Sequence, residues 1–152
     1  MSVVNLSQKC QYAVRAVLEL AKRYGQGAIP AAEIAASQAI PQRFLEVILN
    51  ELKPGGLVAS RRGVQGGYYL ARDPGEITVG EVIRQVEGPL DPVRCSGQTP
   101  DEACPLRDEC TLVDLWAQAR TALEAVYDGT TFRQLAQRQA ELRRTRGVDY
   151  TI

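Results

Sequence analysis

The chain holds four cysteines and no histidine. Three of the cysteines, Cys95, Cys104 and Cys110, fall within one stretch, GPLDPVRCSGQTPDEACPLRDEC, residues 88–110, with eight and five residues between them. No C-x-x-C pair occurs, so the spacing is not that of a zinc ribbon. Thiolates are soft donors, and three in one loop can converge on a soft metal. Free or redox-active thiols are a second reading of the same residues, and a zinc site is a third. Nucleophilic catalysis at Cys95 or Cys110 lacks an activating base, because there is no histidine and no nearby basic pair. The missing histidine also removes the usual zinc-enzyme ligand and general base. The chain is therefore not expected to be an enzyme.

A second group of residues has the chemistry of base and phosphate recognition. Pro41 is placed to open a helix running to about Lys53. On it Phe44, Leu45, Ile48, Leu49 and Leu52 face one way, and Gln42, Arg43, Glu46 and Asn50 the other. A shorter helix, opened by Pro30 and reaching about Ser37, precedes it across the turn Gln38-Ala39-Ile40. Two short helices with a tight turn, the second exposing amide and guanidinium groups, form a helix-turn-helix. The period then changes to that of strands. Leu57 to Ser60 and Tyr68 to Ala71 flank the turn RRGVQGG, giving a hairpin with Arg61 and Arg62 near its tip, which is a wing.

Other elements must position these two groups. A first helix spans about Ser7 to Tyr24, with Cys10, Ala13, Val14, Val17, Ala21 and Tyr24 on its apolar stripe and Gly25 as its C-cap. Thr78 and Glu81 form a capping box for a helix through about Glu87, with Val79, Val82, Ile83 and Val86 on its apolar side. After the cysteine loop, Thr111 opens a helix ending at Asp128-Gly129, striped with Leu112, Leu115, Trp116, Ala119, Leu123 and Val126. Thr131 and Gln134 open a last helix carrying Leu135, Ala136 and Leu142. The expected fold is mainly α with a small β-hairpin wing. Residues 1–87 are the winged helix-turn-helix domain and 88–110 the cysteine loop. Residues 111–145 hold a long dimerisation helix and a C-terminal helix, and 146–152 form a loosely ordered tail. No apolar run approaches the roughly 20 residues of a membrane helix, and the N-terminus lacks a signal-peptide core. The cytoplasm is the default location.

Net charge is zero over 152 residues, but it is unevenly spread. Residues 1–75 carry nine Lys or Arg against five Asp or Glu, and residues 76–152 carry nine against thirteen. A basic half beside an acidic one suits a phosphate-binding domain joined to something that is not one.

The order of these motifs resembles the Rrf2 family of winged-helix transcriptional regulators. The segments FLEVILNELKPGGLVASRRG and GGYYLAR carry the likeness most specifically, and it extends over about residues 5–136. The resemblance implies a homodimer held by the helix after the cysteine loop and reading a palindromic double-stranded DNA operator, most often as a repressor. The apolar stripe of that helix, larger than so small a domain covers alone, agrees. By similarity Gln42, Arg43 and Glu46 face the major groove, Arg62 enters the minor groove, and Arg61, Gln65 and Tyr68 are candidate phosphate contacts.

In cluster-binding members of the family three cysteines hold an iron–sulfur cluster, 4Fe–4S or 2Fe–2S, that senses redox, nitric oxide or iron status. Cys95, Cys104 and Cys110 match those positions. The fourth ligand does not match. A histidine three residues beyond the last cysteine in one branch is Val113 here, and an acidic ligand of another branch is Gln11. Cys10 of the partner subunit is a candidate in its place, although core packing explains the same residue. The alternative within the family is a clusterless, CymR-like regulator of sulfur metabolism, controlled by a protein partner or by thiol oxidation.

Overall fold

In the computed structural model we describe residues 5–93, 95 and 104–149. Helices α1 (Gln8–Lys22), α2 (Ala31–Gln38) and α3 (Gln42–Leu52) are followed by strands β1 (Val58–Arg61) and β2 (Gly67–Leu70), then α4 (Val79–Glu87). A 3-10 turn at Arg107–Glu109 leads into α5 (Leu112–Asp128) and α6 (Phe132–Asp149). The mainly helical architecture with one hairpin matches the expected class. No helix among the described residues is long and apolar enough to cross a membrane.

Local chemistry sets the boundaries. Ser7 Oγ accepts from the Cys10 amide and caps α1. The Thr78–Glu81 capping box is complete, with both reciprocal bonds formed. Thr131 and Gln134 exchange a similar pair, at 2.9 and 3.3 Å. Pro30 and Pro41 stand at the N-caps of α2 and α3. Between those helices Ala39 takes a left-handed conformation, φ 51°, and its amide returns to the Ala35 carbonyl. That turn sets the angle between the two helices.

The core is shared by all the domain's elements. Cys10, Ala13, Val17 and Leu20 of α1 meet Ile34 of α2, Leu45, Ile48, Leu49 and Leu52 of α3, and Val82 and Ile83 of α4. Phe132, at the start of α6, is fully buried among them. Its amide donates to the Ile77 carbonyl, and the Val79 amide donates to Thr130, so α6 is laced to the domain's edge. α5 packs on α4, and α6 lies along α1.

The hairpin is antiparallel, with Val58 opposite Leu70 and Arg61 opposite Gly67. A third strand-like segment joins it: Ile29 and Tyr68 exchange two backbone hydrogen bonds of 2.8 and 2.9 Å. Gly67 has φ 149°, and a Cβ there would overlap the Ile29 carbonyl. Glycine is therefore required for the wing to lie against the start of α2.

Several details differ from the sequence reading. The strands are each shifted by one residue, and α1 is capped by Arg23 rather than Gly25. Tyr24 and Phe44 are exposed rather than in the core. Tyr24 lies past the end of α1, and Phe44 is on the edge of the α3 stripe. The tail expected from residue 146 continues α6 to Asp149. No proline stops it, and it prolongs a helix whose preceding turns are rich in the good helix formers Arg, Gln, Glu and Leu. Residues 150–152 lie outside the described residues.

Candidate DNA-reading face and cysteine segment

α3 offers its polar face to solvent. Gln42, Arg43 and Asn50 are exposed and Glu46 is half-buried, while Leu45, Ile48, Leu49 and Leu52 anchor the helix from beneath. The Gln42 side-chain amide donates to Glu46 Oε1 at 3.1 Å, so the carboxylate already has a donor before any ligand arrives. Val47, which the sequence pattern assigns to neither face, is an apolar residue 51% exposed here. Its place one turn after Arg43 was the available signal.

The wing presents Arg61, Arg62 and Gln65, all exposed. The Gly66 amide closes the tip onto the Gly63 carbonyl at 2.9 Å. Tyr68 differs from its neighbours. It is half-buried against the core, with the Lys53 ammonium 5.5 Å from its ring centre. That position supports the wing from below more than it exposes the phenol.

A buried acid fixes the helix-turn-helix on α1. Glu19 is 2% exposed and accepts from Lys22 Nζ at 2.7 Å, Gln38 Nε2 at 2.8 Å and Arg23 Nε at 3.1 Å. Arg23 also donates to Glu33 at 2.8 Å. Burial alone would raise the carboxyl's pKa, but the Lys22 and Gln38 bonds and two cations hold it below the usual range. Since Glu33 and Gln38 lie near opposite ends of α2, the network pins that helix along its length. Sequence gave no signal of a long-range partner for Glu19.

The cysteine segment joins α4 to α5. Cys104 and Cys110 flank the 3-10 turn, whose Arg107 amide approaches the Cys104 carbonyl at 3.3 Å. Cys95, Cys104 and Cys110 are all free and partly exposed. Residues 94 and 96–103 of this loop lie outside the described residues. Among the described residues no three His, Cys, Asp or Glu side chains are gathered as a metal-binding group. Cys10 is set apart in the core, fully buried, with burial and the nearby Glu87 pushing its thiol up to about 11. The Gln11 side chain is engaged, donating to the Leu6 carbonyl at 2.9 Å.

The base of the loop is tied to α5. Arg120 donates to Asp91 at 3.1 Å, and Arg84 of α4 grips Asp128 at the end of α5. A Cβ at Gly80 would fall on the Asp128 carboxylate, so a larger residue there would push that carboxylate away from Arg84. α5 has no buried residue. Leu112, Leu115, Leu123 and Val126 are 41–64% exposed.

Comparison with known proteins identifies the family. The family model Rrf2, described as an iron-dependent transcriptional regulator, matches residues 6–138. The HTH-type transcriptional regulator IscR of Cronobacter sakazakii is 37% identical over 139 residues, covering 91% of this chain and 84% of the relative. The HTH-type transcriptional regulator CymR of Bacillus subtilis is 35% identical over 133 residues, covering 88% and 90%. Among solved structures, CymR, the global cysteine regulator of B. subtilis, superposes with a TM-score of 0.71 at 35% identity, over 88% of this chain and 97% of that one. IscR of T. potens gives 0.71 at 30% identity, over 91% and 90%.

Proposed function

The chain belongs to the Rrf2 family of transcriptional regulators, and on that premise we propose that it is a dimeric, sequence-specific DNA-binding repressor whose operator affinity is set by an iron–sulfur cluster held by Cys95, Cys104 and Cys110. The DNA half of the reading is supported by the exposed polar face of α3 beside an arginine-tipped wing. Arg43 can fork onto a guanine, and the donor at Glu46 lowers its repulsion from phosphates. Arg62 suits a narrow minor groove, and Arg61 and Gln65 suit phosphate. The exposed stripe of α5 is the natural surface for a second copy, which would read the other half of a palindrome.

The observation that carries the regulatory half is the placement of three free, accessible thiols in the one segment that joins α4 to α5. Their softness suits iron–sulfide chemistry, which when present supplies bonds that oxidants or nitric oxide can break. Binding requires Cys95, Cys104 and Cys110 to be drawn together. Such a movement would pull on Asp91 and the start of α5, and through Arg84 and Asp128 it would change how two copies sit across a dimer.

Anaerobic purification with iron and sulfide analysis tests this. A brown protein that loses colour and changes operator affinity in air supports it. A colourless protein whose affinity follows thiol oxidation or a partner supports the clusterless reading.

A further inference from the structure

Val47 stands in the middle of the surface that α3 turns outward. Its neighbours one turn away are Arg43, Phe44, Asn50 and Glu51, all exposed. Two of these are already engaged. The Phe44 ring meets Tyr12 edge-on at 5.8 Å, and Glu51 pairs with Lys9 at 2.8 Å. Val47 is 51% exposed and is not among the half-buried side chains that pack on the core.

Nothing in the fold accounts for valine there. A β-branched residue is a poorer helix former than the Lys, Gln or Glu that a solvated site would take. Its χ1 is nearly fixed in a helix, so it presents its methyl groups in one place. In the major groove the thymine C5 methyl is the apolar group that base pairs display. A stiff, apolar side chain one turn from an arginine, on the helix that faces that groove, is matched to it.

We propose that Val47 is the specificity-determining residue by which this protein recognises thymine, packing against its C5 methyl group. The inference rests on the DNA-binding reading above and deepens it. Arg43 and Val47 lie four residues apart, about 6 Å along the helix. With base steps of about 3.4 Å, guanine and thymine should fall roughly two steps apart in each half-site.

The test uses the full chain and a duplex enriched by it from a random-sequence library. Each thymine of that duplex is replaced in turn by deoxyuridine, which deletes one methyl group and nothing else. Wild-type protein should lose about four-fold in affinity at one position per half-site, the effect of one buried methyl. Val47→Ala should bind the thymine and deoxyuridine duplexes equally, with an unchanged salt dependence. Arg62→Ala should weaken both duplexes alike and keep the difference between them. A wild-type protein indifferent to every replacement, or a Val47→Ala variant that keeps the penalty, overturns the assignment to Val47 while leaving DNA binding intact. A library from which nothing is enriched overturns both.

Discussion

Arg84 holds Asp128 with two guanidinium N–H groups, each 2.7 Å from a carboxylate oxygen, across forty-four residues of chain. Glu124 lies beside them at 3.8 Å. The bond from Arg84 pulls the Asp128 carboxyl below its usual range, and Asp128 raises the guanidinium in turn. The pair is the charged clasp between α4, on the DNA-binding side, and the far end of α5. Its side chains are 36% and 42% exposed, so solvent screens it. A double-mutant cycle with Arg84→Ala and Asp128→Ala should give a coupling of about 0.5–1 kcal/mol in thermal unfolding. The response of DNA affinity to the regulatory signal should shrink by more than that stability loss accounts for. Zero coupling would remove the clasp.

Glu19 should matter more to stability, because its carboxylate is buried and triply bonded. Glu19→Ala is expected to cost about 2–3 kcal/mol, measured by denaturant unfolding. The pH dependence has a definite sign. A depressed carboxyl pKa contributes stability that is complete above the unfolded value of 4.5 and lost as pH falls through the folded one. Wild type should therefore lose stability below about pH 4.5 more steeply than Glu19→Gln. Parallel acid profiles for the two proteins would argue against the network.

The stripe on α5 predicts an assembly. Leu115→Glu with Leu123→Glu places charges on side chains 50% and 41% exposed in one copy. Folding of the single chain should be nearly unaffected, by within about 0.5 kcal/mol. Sedimentation should show dimers for wild type and monomers for the variant, and operator binding should weaken by at least ten-fold. A variant that remains dimeric would place the contact elsewhere.

Cysteine reactivity should divide three to one. Cys10, buried and with its thiol raised to about 11, should resist alkylation at neutral pH. The partly exposed Cys95, Cys104 and Cys110 should react in metal-free protein. Mass spectrometry should find three adducts on the native chain and a fourth only after unfolding. Cys10→Ser should destabilise by about 1–3 kcal/mol by burying a hydroxyl, while Cys104→Ser should change stability by less than about 0.5 kcal/mol. Rapid labelling of Cys10 in the native state would contradict the core position.

The local half of this molecule was legible in the sequence because local rules govern it. Capping pairs such as Thr78 with Glu81 act over three residues, and the α3 stripe repeats within one helix. The glycine-bounded strands needed only a change of period. What escaped was set by distant contacts. Phe132 fills the core from across the chain, Glu19 is bonded from α2 as well as α1, and Arg84 pairs with Asp128. None of these leaves a periodic trace. Among the site residues, Arg43, Arg61, Arg62 and Gln65 lie exposed as their polarity implied. Val47 belongs to neither the apolar nor the polar set of α3 in the sequence pattern, and only its 51% exposure sets it apart. Cys10 reads from its type and position as either ligand or core, and in one copy its thiol lies in the core.

The backbone lock between Gly67 and Ile29 has a consequence for regulation. Because the wing is stitched to the start of α2, and α2 is pinned to α1, these parts form one solid stamp. In the proposed dimer, a signal from the cysteine segment would therefore have little leverage over which bases one half-site reads. It would act on the distance and angle between two stamps. Operators should then fall into regulated and unregulated classes by the count of base pairs between half-sites, since each added pair turns the second by about 34° around the duplex. The spacer, more than the letters, would carry the switch.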